Sequence, residues 1–144
     1  MKIRAAQSED LEVIKALLAE NELPVADVNA AMLADFLVAE DEGGRIVGSV
    51  GLERLGVDAL LRSLAVARTA RHARLGTMLV AHAESMARAS DISDLWLLTT
   101  TAAGFFRRMG YVDVDRSKVA AEVKSTTQFA QLCPATAACM RKTL

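Results

Sequence analysis

The stretch from Leu60 to Thr77 limits what this chain can become. Leu60-Leu61-Arg62-Ser63-Leu64-Ala65-Val66-Ala67 is an apolar run with one polar pair inside it. It enters Arg68-Thr69-Ala70-Arg71-His72-Ala73-Arg74-Leu75-Gly76-Thr77, a short basic turn that opens an amphipathic helix. A strand led through a compact loop to a helix start brings unpaired backbone N–H groups and the positive end of the helix dipole to one point, which suits a phosphate. Arg68, Arg71 and Arg74 add mobile charge there. Taken alone, the loop also reads as an ordinary strand-to-helix turn with solvated arginines.

The rest of the chain extends this strand–loop–helix unit in both directions. Lys2 to Ala6 reads as a short strand. Ser8 is a candidate N-cap for a helix carrying Leu11, Ile14, Leu17 and Leu18, ending near Glu20 before Leu23-Pro24. Asp27 is a candidate cap for a second short helix with Val28, Ala31 and Met32 on one face. Phe36–Glu40 and Arg45–Glu53 form a hairpin about Asp41-Glu42-Gly43-Gly44, and Leu55-Gly56-Val57-Asp58 turns the chain into the strand Ala59–Ala67. Gly48 and Gly51 inside the middle strand indicate a bulge or a close approach.

After the loop, Leu75, Met78, Leu79, Ala83 and Met86 fall on one helix face, and His82 shares it as a packed residue. Asp94–Thr99 is a strand, and the strand–helix–strand crossover makes it parallel to Ala59–Ala67. A short helix over Ala102–Met109 ends at Gly110, and Tyr111–Val114 begins another strand. Ser117 is a possible cap for a helix through Val123, the polar stretch Ser125–Leu132 has no clear assignment, Cys133-Pro134 starts a turn, and Ala137–Lys142 is the last strand.

Composition narrows the function classes. The 144 residues suit one domain, spanning 1–144, with an aliphatic core. A net charge of −1 implies no global basic face, so nucleic acid is not an expected partner, and no membrane is expected either. The local arginines, with Arg107-Arg108, suit a small polyanion better. No secretory leader and no apolar run near the ~20 residues of a membrane helix are present, so a cytoplasmic protein is expected. Two cysteines make no disulfide framework.

The loop resembles the coenzyme A motif of the GCN5-related N-acetyltransferase (GNAT) superfamily, Gln/Arg-x-x-Gly-x-Gly/Ala. Arg71, Leu75 and Gly76 fit the loop, Leu64-Ala65-Val66 fits the preceding strand, and Arg74 stands where the first glycine belongs. A second block, Leu97-Leu98-Thr99-Thr100-Thr101-Ala102-Ala103-Gly104-Phe105-Phe106-Arg107-Arg108-Met109-Gly110-Tyr111, is similar to the strand–helix block of the same family, and its Leu-Thr-Thr opening to the acetyltransferase domain of N-acetylglutamate synthases. A third layer resembles the small acetyltransferases of arsenic-resistance operons (ArsN-type): Gly51-Leu52-Glu53, Gly56, Leu60–Leu64, Cys133-Pro134 and Cys139-Met140. The resemblance implies an α/β fold: a central mixed sheet of six to seven strands, splayed between two parallel strands and flanked by about four to five helices. It implies acetyl-CoA as co-substrate, no metal, and a small amino-acid-like amine as acceptor, such as the arsenical arsinothricin or its analogue phosphinothricin. An acetyl-CoA-binding module with little catalysis and a protein N-acetyltransferase are the alternatives; a homodimer is left open.

The reaction makes three demands: the ammonium must lose its proton, the thioester oxygen must be stabilised as it becomes an anion, and the thiolate must leave. Free thiols titrate near ~8.5, so the last demand is mild. The resemblance implies that backbone N–H groups at Leu64, Ala65 and Val66 meet the pantetheine arm and thioester oxygen, with the strands parting after Ala65 and Leu64 as the polarising position. The diphosphate would rest on Arg71, His72, Ala73, Arg74, Leu75, Gly76 and Thr77, with Phe105, Phe106 and Arg108 completing the cofactor side. Glu53 is the candidate base, working through water; a solvated strand-end carboxylate is the alternative. The family's glutamate at the start of the next strand is absent, with Leu60 in its place, and its tyrosine beside the phenylalanine is replaced in Phe105-Phe106. Tyr111 reads as core. Arg62 is the candidate anchor for an anionic group on the acceptor, or else an internal ion-pair partner of Glu53. Ser63, Thr99 and Thr100 would line the same cleft. Cys133 and Cys139 read as buried, inert thiols.

Overall fold

A computed structural model describes residues 1–132 and 136–144, with residues 72, 73, 131 and 132 by backbone alone. The order is β1 (Lys2–Ala5), α1 (Leu11–Glu20), β2 (Phe36–Glu40), β3 (Ile46–Leu55), β4 (Asp58–Val66), α2 (Leu75–Ala89), β5 (Asp94–Thr99), α3 (Ala103–Arg108), β6 (Val112–Asp113), α4 (Ala121–Lys124) and β7 (Ala138–Thr143). Short 3-10 turns lie at Ser8–Asp10, Ala30–Asp35, Arg68–Ala73 and Arg116–Lys118, and a π turn at Gln128–Leu132. The seven strands form one sheet in the order β1-β2-β3-β4-β5-β7-β6. Among the described residues, β4 and β5 are the one pair of parallel neighbours, as the crossover through α2 requires.

Alternation along the strands supplies both faces of the sheet with a core. In β2, Phe36 and Val38 join Ile14, Leu17 and Leu18 of α1. The intervening Leu37 and Ala39 turn to Leu75, Leu79, Val80 and Ala83 of α2. A third cluster, Leu60, Trp96, Val119, Val123 and Cys139, lies under α4. Cys139 is buried, and burial raises its thiol above the ordinary value, as expected of an inert cysteine. Cys133 and the turn expected at Cys133-Pro134 fall outside the described residues.

The structure corrects several expectations. Asp27 caps no helix: Asn29 caps the 3-10 turn that follows, its side chain accepting from Met32 N. The buried stripe of α2 runs through Leu75, Leu79, Val80, Ala83, Glu84 and Ala87, while Met78 and His82 are exposed. The helix expected after Ser117 is split into a 3-10 turn, capped by Asp115 rather than Ser117, and the one-turn α4. Most important for the site, β4 and β5 pair only at Asp58–Asp94, Ala59–Leu95 and Leu60–Trp96. The strands therefore part from Leu61 onward, not after Ala65.

Both glycines of β3 mark close approaches. A Cβ on Gly48 would lie 2.9 Å from a Leu79 methyl, and one on Gly51 would lie 2.2 Å from the Phe36 ring. The bulge itself is on the neighbouring strand. Ser49 faces Ala65 and Gly51 faces Arg62, so β4 carries one more residue than β3 over this interval. Ser63 sits there with φ +57°.

Gly51→Ala is expected to destabilise the fold by about 2–3 kcal/mol, because the fully buried Phe36 ring has nowhere to go. Denaturant unfolding measures this, and adding Phe36→Leu should recover part of the loss.

Candidate active site

Once β5 leaves, one edge of β4 is open. Ala67 N donates to Val47 O at 2.8 Å, so this register turns the backbone of Ala65 and Ala67 toward β3. Alternation then turns the N–H and C=O of Leu64 and Val66 to the opposite edge, where no described strand pairs with them. The bulge is held from the β3 side, where Ser49 Oγ donates to Ser63 O at 2.8 Å. The parted strands enclose a cleft of about 770 Å³. Leu61–Leu64 form one wall, Leu97–Ala102 with Phe106 another, and the segment Asn21–Ala26 with Gln128 a third.

Beyond β4 the chain makes its 3-10 turn and enters α2 through Arg74, whose φ of +55° is left-handed. Arg74 thus adopts the conformation that the motif's glycine would supply. Leu75, Gly76 and Thr77 head the helix, where N–H groups have no intrahelical acceptor and the dipole favours an anion. A Cβ on Gly76 would meet the Phe105 ring at 3.7 Å, so Phe105 stands over the helix start. Phe106 is buried edge-to-face between Phe105 and Tyr111 and reaches the cleft. Arg71 spans two elements: Nε donates to Val66 O at 3.3 Å and Nη2 to Asn21 Oδ1 at 2.8 Å. Arg74 and Arg108 are exposed near this region, whereas Arg68 lines a separate groove beside α1. Nothing is described for the side chains of His72 and Ala73.

Arg62 lies on the cleft wall with a fully buried side chain. Its fork grips both oxygens of Asp27, at 2.5 and 2.7 Å; Nη1 also reaches Glu53 Oε1 at 3.2 Å, and Nε donates to Ser63 Oγ at 3.2 Å. The guanidinium is therefore occupied by protein carboxylates rather than held open for a ligand's anionic group. Burial by itself would raise the Asp27 carboxyl and lower Arg62. The hydrogen bonds and charge between them reverse both shifts, so Asp27 lies below its ordinary value and Arg62 above. Glu53 is partly exposed and does not itself line the cleft. Thr99 and Thr100 also line it, and Thr99 Oγ1 accepts from Ala102 N at 2.9 Å in the turn that precedes α3.

Tyr111 is core. It is buried, its hydroxyl donates to Glu84 Oε2 at 2.9 Å, and burial with the Glu84 charge pushes it well above the tyrosine range. Sequence reasoning missed Asn21, Asp27 and Gln128 as site residues. The Pro24 break in an otherwise apolar Leu23–Ala26 stretch was the available sign that this segment leaves α1 to cover something.

Residues 33–113 match the Acetyltransferase (GNAT) domain family. An uncharacterized N-acetyltransferase of Chlorobaculum tepidum is 34% identical over 85 residues, a match covering 58% of this chain and 54% of that protein. The chain spans about half the length of that curated relative. Among solved structures, Rv2747 of Mycobacterium tuberculosis in complex with CoA and NLQ superposes with a TM-score of 0.83 at 22% identity, over 100% of this chain and 99% of that one. N-acetylglutamate synthase of Neisseria gonorrhoeae, complexed with coenzyme A and N-acetyl-glutamate, gives a TM-score of 0.85 at 22% identity, over 99% of this chain and 35% of that one. At these identities the structural likeness is one of fold.

Two outcomes follow from the site's geometry. Arg74→Gly should stabilise the protein by about 0.5–1 kcal/mol, since the ~1–2 kcal/mol left-handed penalty exceeds the entropy that glycine loses; thermal unfolding reads it. Asp27→Asn should destabilise by about 3 kcal/mol at neutral pH by leaving Arg62 short of a partner. The Asp27 carboxyl is depressed in the folded state, so its contribution is present above the ordinary value of 3.8 and lost as pH falls below it. The gap between wild type and variant should therefore narrow in urea titrations below about pH 4.

Proposed function

Because the chain belongs to the acetyltransferase (GNAT) domain family, we propose that it is an acetyl-CoA-dependent N-acetyltransferase acting on the amine of a small amino-acid-like molecule. The observation that carries this reading is the open edge of β4: Leu64 lines the cleft, and the same edge runs on to Val66, whose side chain lies beside Gly76 at the start of α2. Pantetheine is a chain of amides and needs a strand edge to pair with. Its diphosphate needs a helix start and arginines. Both lie along one run of chain, with the acceptor cleft at its inner end.

In this proposal the pantetheine arm lies in the gap as a substitute for β5, pairing with the backbone at Leu64–Val66. The Leu64 N–H is aimed at the thioester oxygen and stabilises the negative charge that develops as the amine attacks. The diphosphate rests on the turn from Arg71 through Arg74 and the first-turn amides of Leu75, Gly76 and Thr77. Phe105 and Phe106 flank the arm, and Arg108 adds charge at the outer end.

The cluster of Arg62, Asp27 and Glu53 sums to one negative charge. It therefore suits the acceptor's ammonium end better than its anionic end. Arg62 is assigned to hold the two carboxylates in place, and Glu53 to take the amine's proton through water, with Ser63, Thr99 and Thr100 along the acceptor's path. The leaving thiolate takes its proton from solvent or from the acceptor. The amino-acid class of acceptor is supported by the N-acetyl-glutamate in the synthase complex. The resemblance of Gly51-Leu52-Glu53 and Cys139-Met140 to the acetyltransferases of arsenic-resistance operons extends the proposal to glutamate mimics carrying an arsinate or phosphinate group, and with it to a role in detoxification.

Thiol release from acetyl-CoA, measured across amino acids and their phosphinate and arsinate analogues, is expected to show turnover with an α-amino acid bearing a second anionic group. Glu53→Gln should lower kcat/KM about 100-fold in the same assay. Saturable acetyl-CoA binding without thiol release from any amine would instead mark a binding module.

A further inference from the structure

The segment that closes the acceptor end of the cleft is fastened to the β4–α2 unit at both of its ends, and each fastening is an arginine. At the far end, Asp27 is gripped by Arg62 beside the bulge. At the near end, Asn21 is gripped by Arg71 of the basic loop. Asn21 is oriented for this contact: its Nδ2 donates to Leu17 O at 2.9 Å in the last turn of α1, which leaves Oδ1 to receive Arg71 Nη2. The next residue, Glu22, takes a left-handed φ of +58°, which turns the chain off the helix and into the wall.

The two ends differ in one respect. Arg62 is buried and fully committed, whereas Arg71 is exposed and holds two acceptors that the proposed cofactor would contest. One is Val66 O, which faces the open edge and is the acceptor a pantetheine N–H would seek. The other is Asn21 Oδ1, a neutral amide oxygen from which a diphosphate would draw the guanidinium away because the charged pair is the stronger one.

We infer that Asn21 is a latch: in the free protein it ties the acceptor wall to Arg71, and the cofactor releases the wall by taking Arg71 for itself. This rests on the acetyl-CoA reading given above. It makes Asn21 a positioning residue that couples the two halves of the cleft, with the cofactor entering before the acceptor wall is free to adjust. The coupling is reciprocal, so whatever tightens the latch weakens cofactor binding.

The test is acetyl-CoA titration by calorimetry on wild type, Asn21→Ala and Asn21→Asp, each also in an Arg71→Ala background. Asn21→Ala removes the competitor for Arg71 and should tighten acetyl-CoA about fivefold. Asn21→Asp replaces a neutral acceptor by a charged one and should weaken it by a similar factor or more. Both effects should vanish without Arg71. Hydrogen exchange over residues 21–27 should quicken in wild type when acetyl-CoA is added and should already be fast in free Asn21→Ala.

A wall residue with no coupling would shift both variants in the same direction or leave affinity unchanged, and either result overturns the latch while leaving the cofactor reading intact. Exchange in the wall that ignores acetyl-CoA overturns it as well. Wild type that shows no saturable acetyl-CoA binding overturns the cofactor reading, and the latch with it.

Discussion

One extra residue in β4 governs the geometry of the site. Strands that stayed paired along their whole length would satisfy every backbone group between them and leave no polar edge. At Ser63 the count of β4 exceeds that of β3, and a bulge of this kind bends its strand and increases the local twist. Only three β4–β5 pairs, all before the bulge, survive. A serine with φ +57° is an unfavourable residue for the position, at a cost of about 1–2 kcal/mol. Its neighbours hold it there: Ser49 Oγ satisfies its carbonyl, Arg62 Nε bonds its hydroxyl, and Gly51 opposite leaves room for the Phe36 ring. The strain sits where the strand edge opens, so the fold bears it at the site that uses the opening.

Two buried charge clusters then fix what surrounds the opening. Arg62, Asp27 and Glu53 tie the loop after α1 to the middle of the sheet. A buried ion pair of this kind adds little net stability, yet removing one partner is expensive, so its effect is to enforce one arrangement of the loop. The second cluster lies away from the cleft. Glu84 of α2 receives the Tyr111 hydroxyl and the Lys142 ammonium, and Lys142 also donates to Met109 O at the end of α3. This joins α2, α3 and β7 at one corner.

The strand–loop–helix–strand order was legible because each of its signals is local. Apolar runs, the helical spacing after Gly76 and the glycine at 110 act within a few residues. The remainder depended on partners far along the chain. Asp27 stands 35 residues from Arg62 and reads locally as a cap; Glu84 stands 27 residues from Tyr111, and nothing in a hydrophobic periodicity admits a carboxylate to the buried stripe. The same periodicity turns Met78 and His82 inward, where the fold instead buries Glu84. The parting point at Leu61 was also hidden, since Leu60-Leu61 and Trp96-Leu97 have the same apolar character whether their backbones pair or diverge. The left-handed turn at Ser63 carries no glycine to announce it, and the glycines that drew attention, Gly48 and Gly51, serve the approaches of Leu79 and Phe36 across the sheet.

The division of labour along the chain has a mechanical consequence. The acceptor-side arginine, the open edge, the second arginine and the helix start all belong to the continuous run from Arg62 to Thr77, anchored in a strand at one end and a long helix at the other. A site on such elements holds its geometry closely, and a change at one of these positions disturbs the others. The opposing wall from Asn21 to Asp27 has neither helix nor strand and is joined to that run through side chains. Substitutions in the wall can therefore reshape the acceptor end without moving the backbone groups assigned to the cofactor. A fold that keeps one co-substrate while changing the other needs this separation: a rigid strand-to-helix unit for the constant partner, and a tethered loop for the variable one.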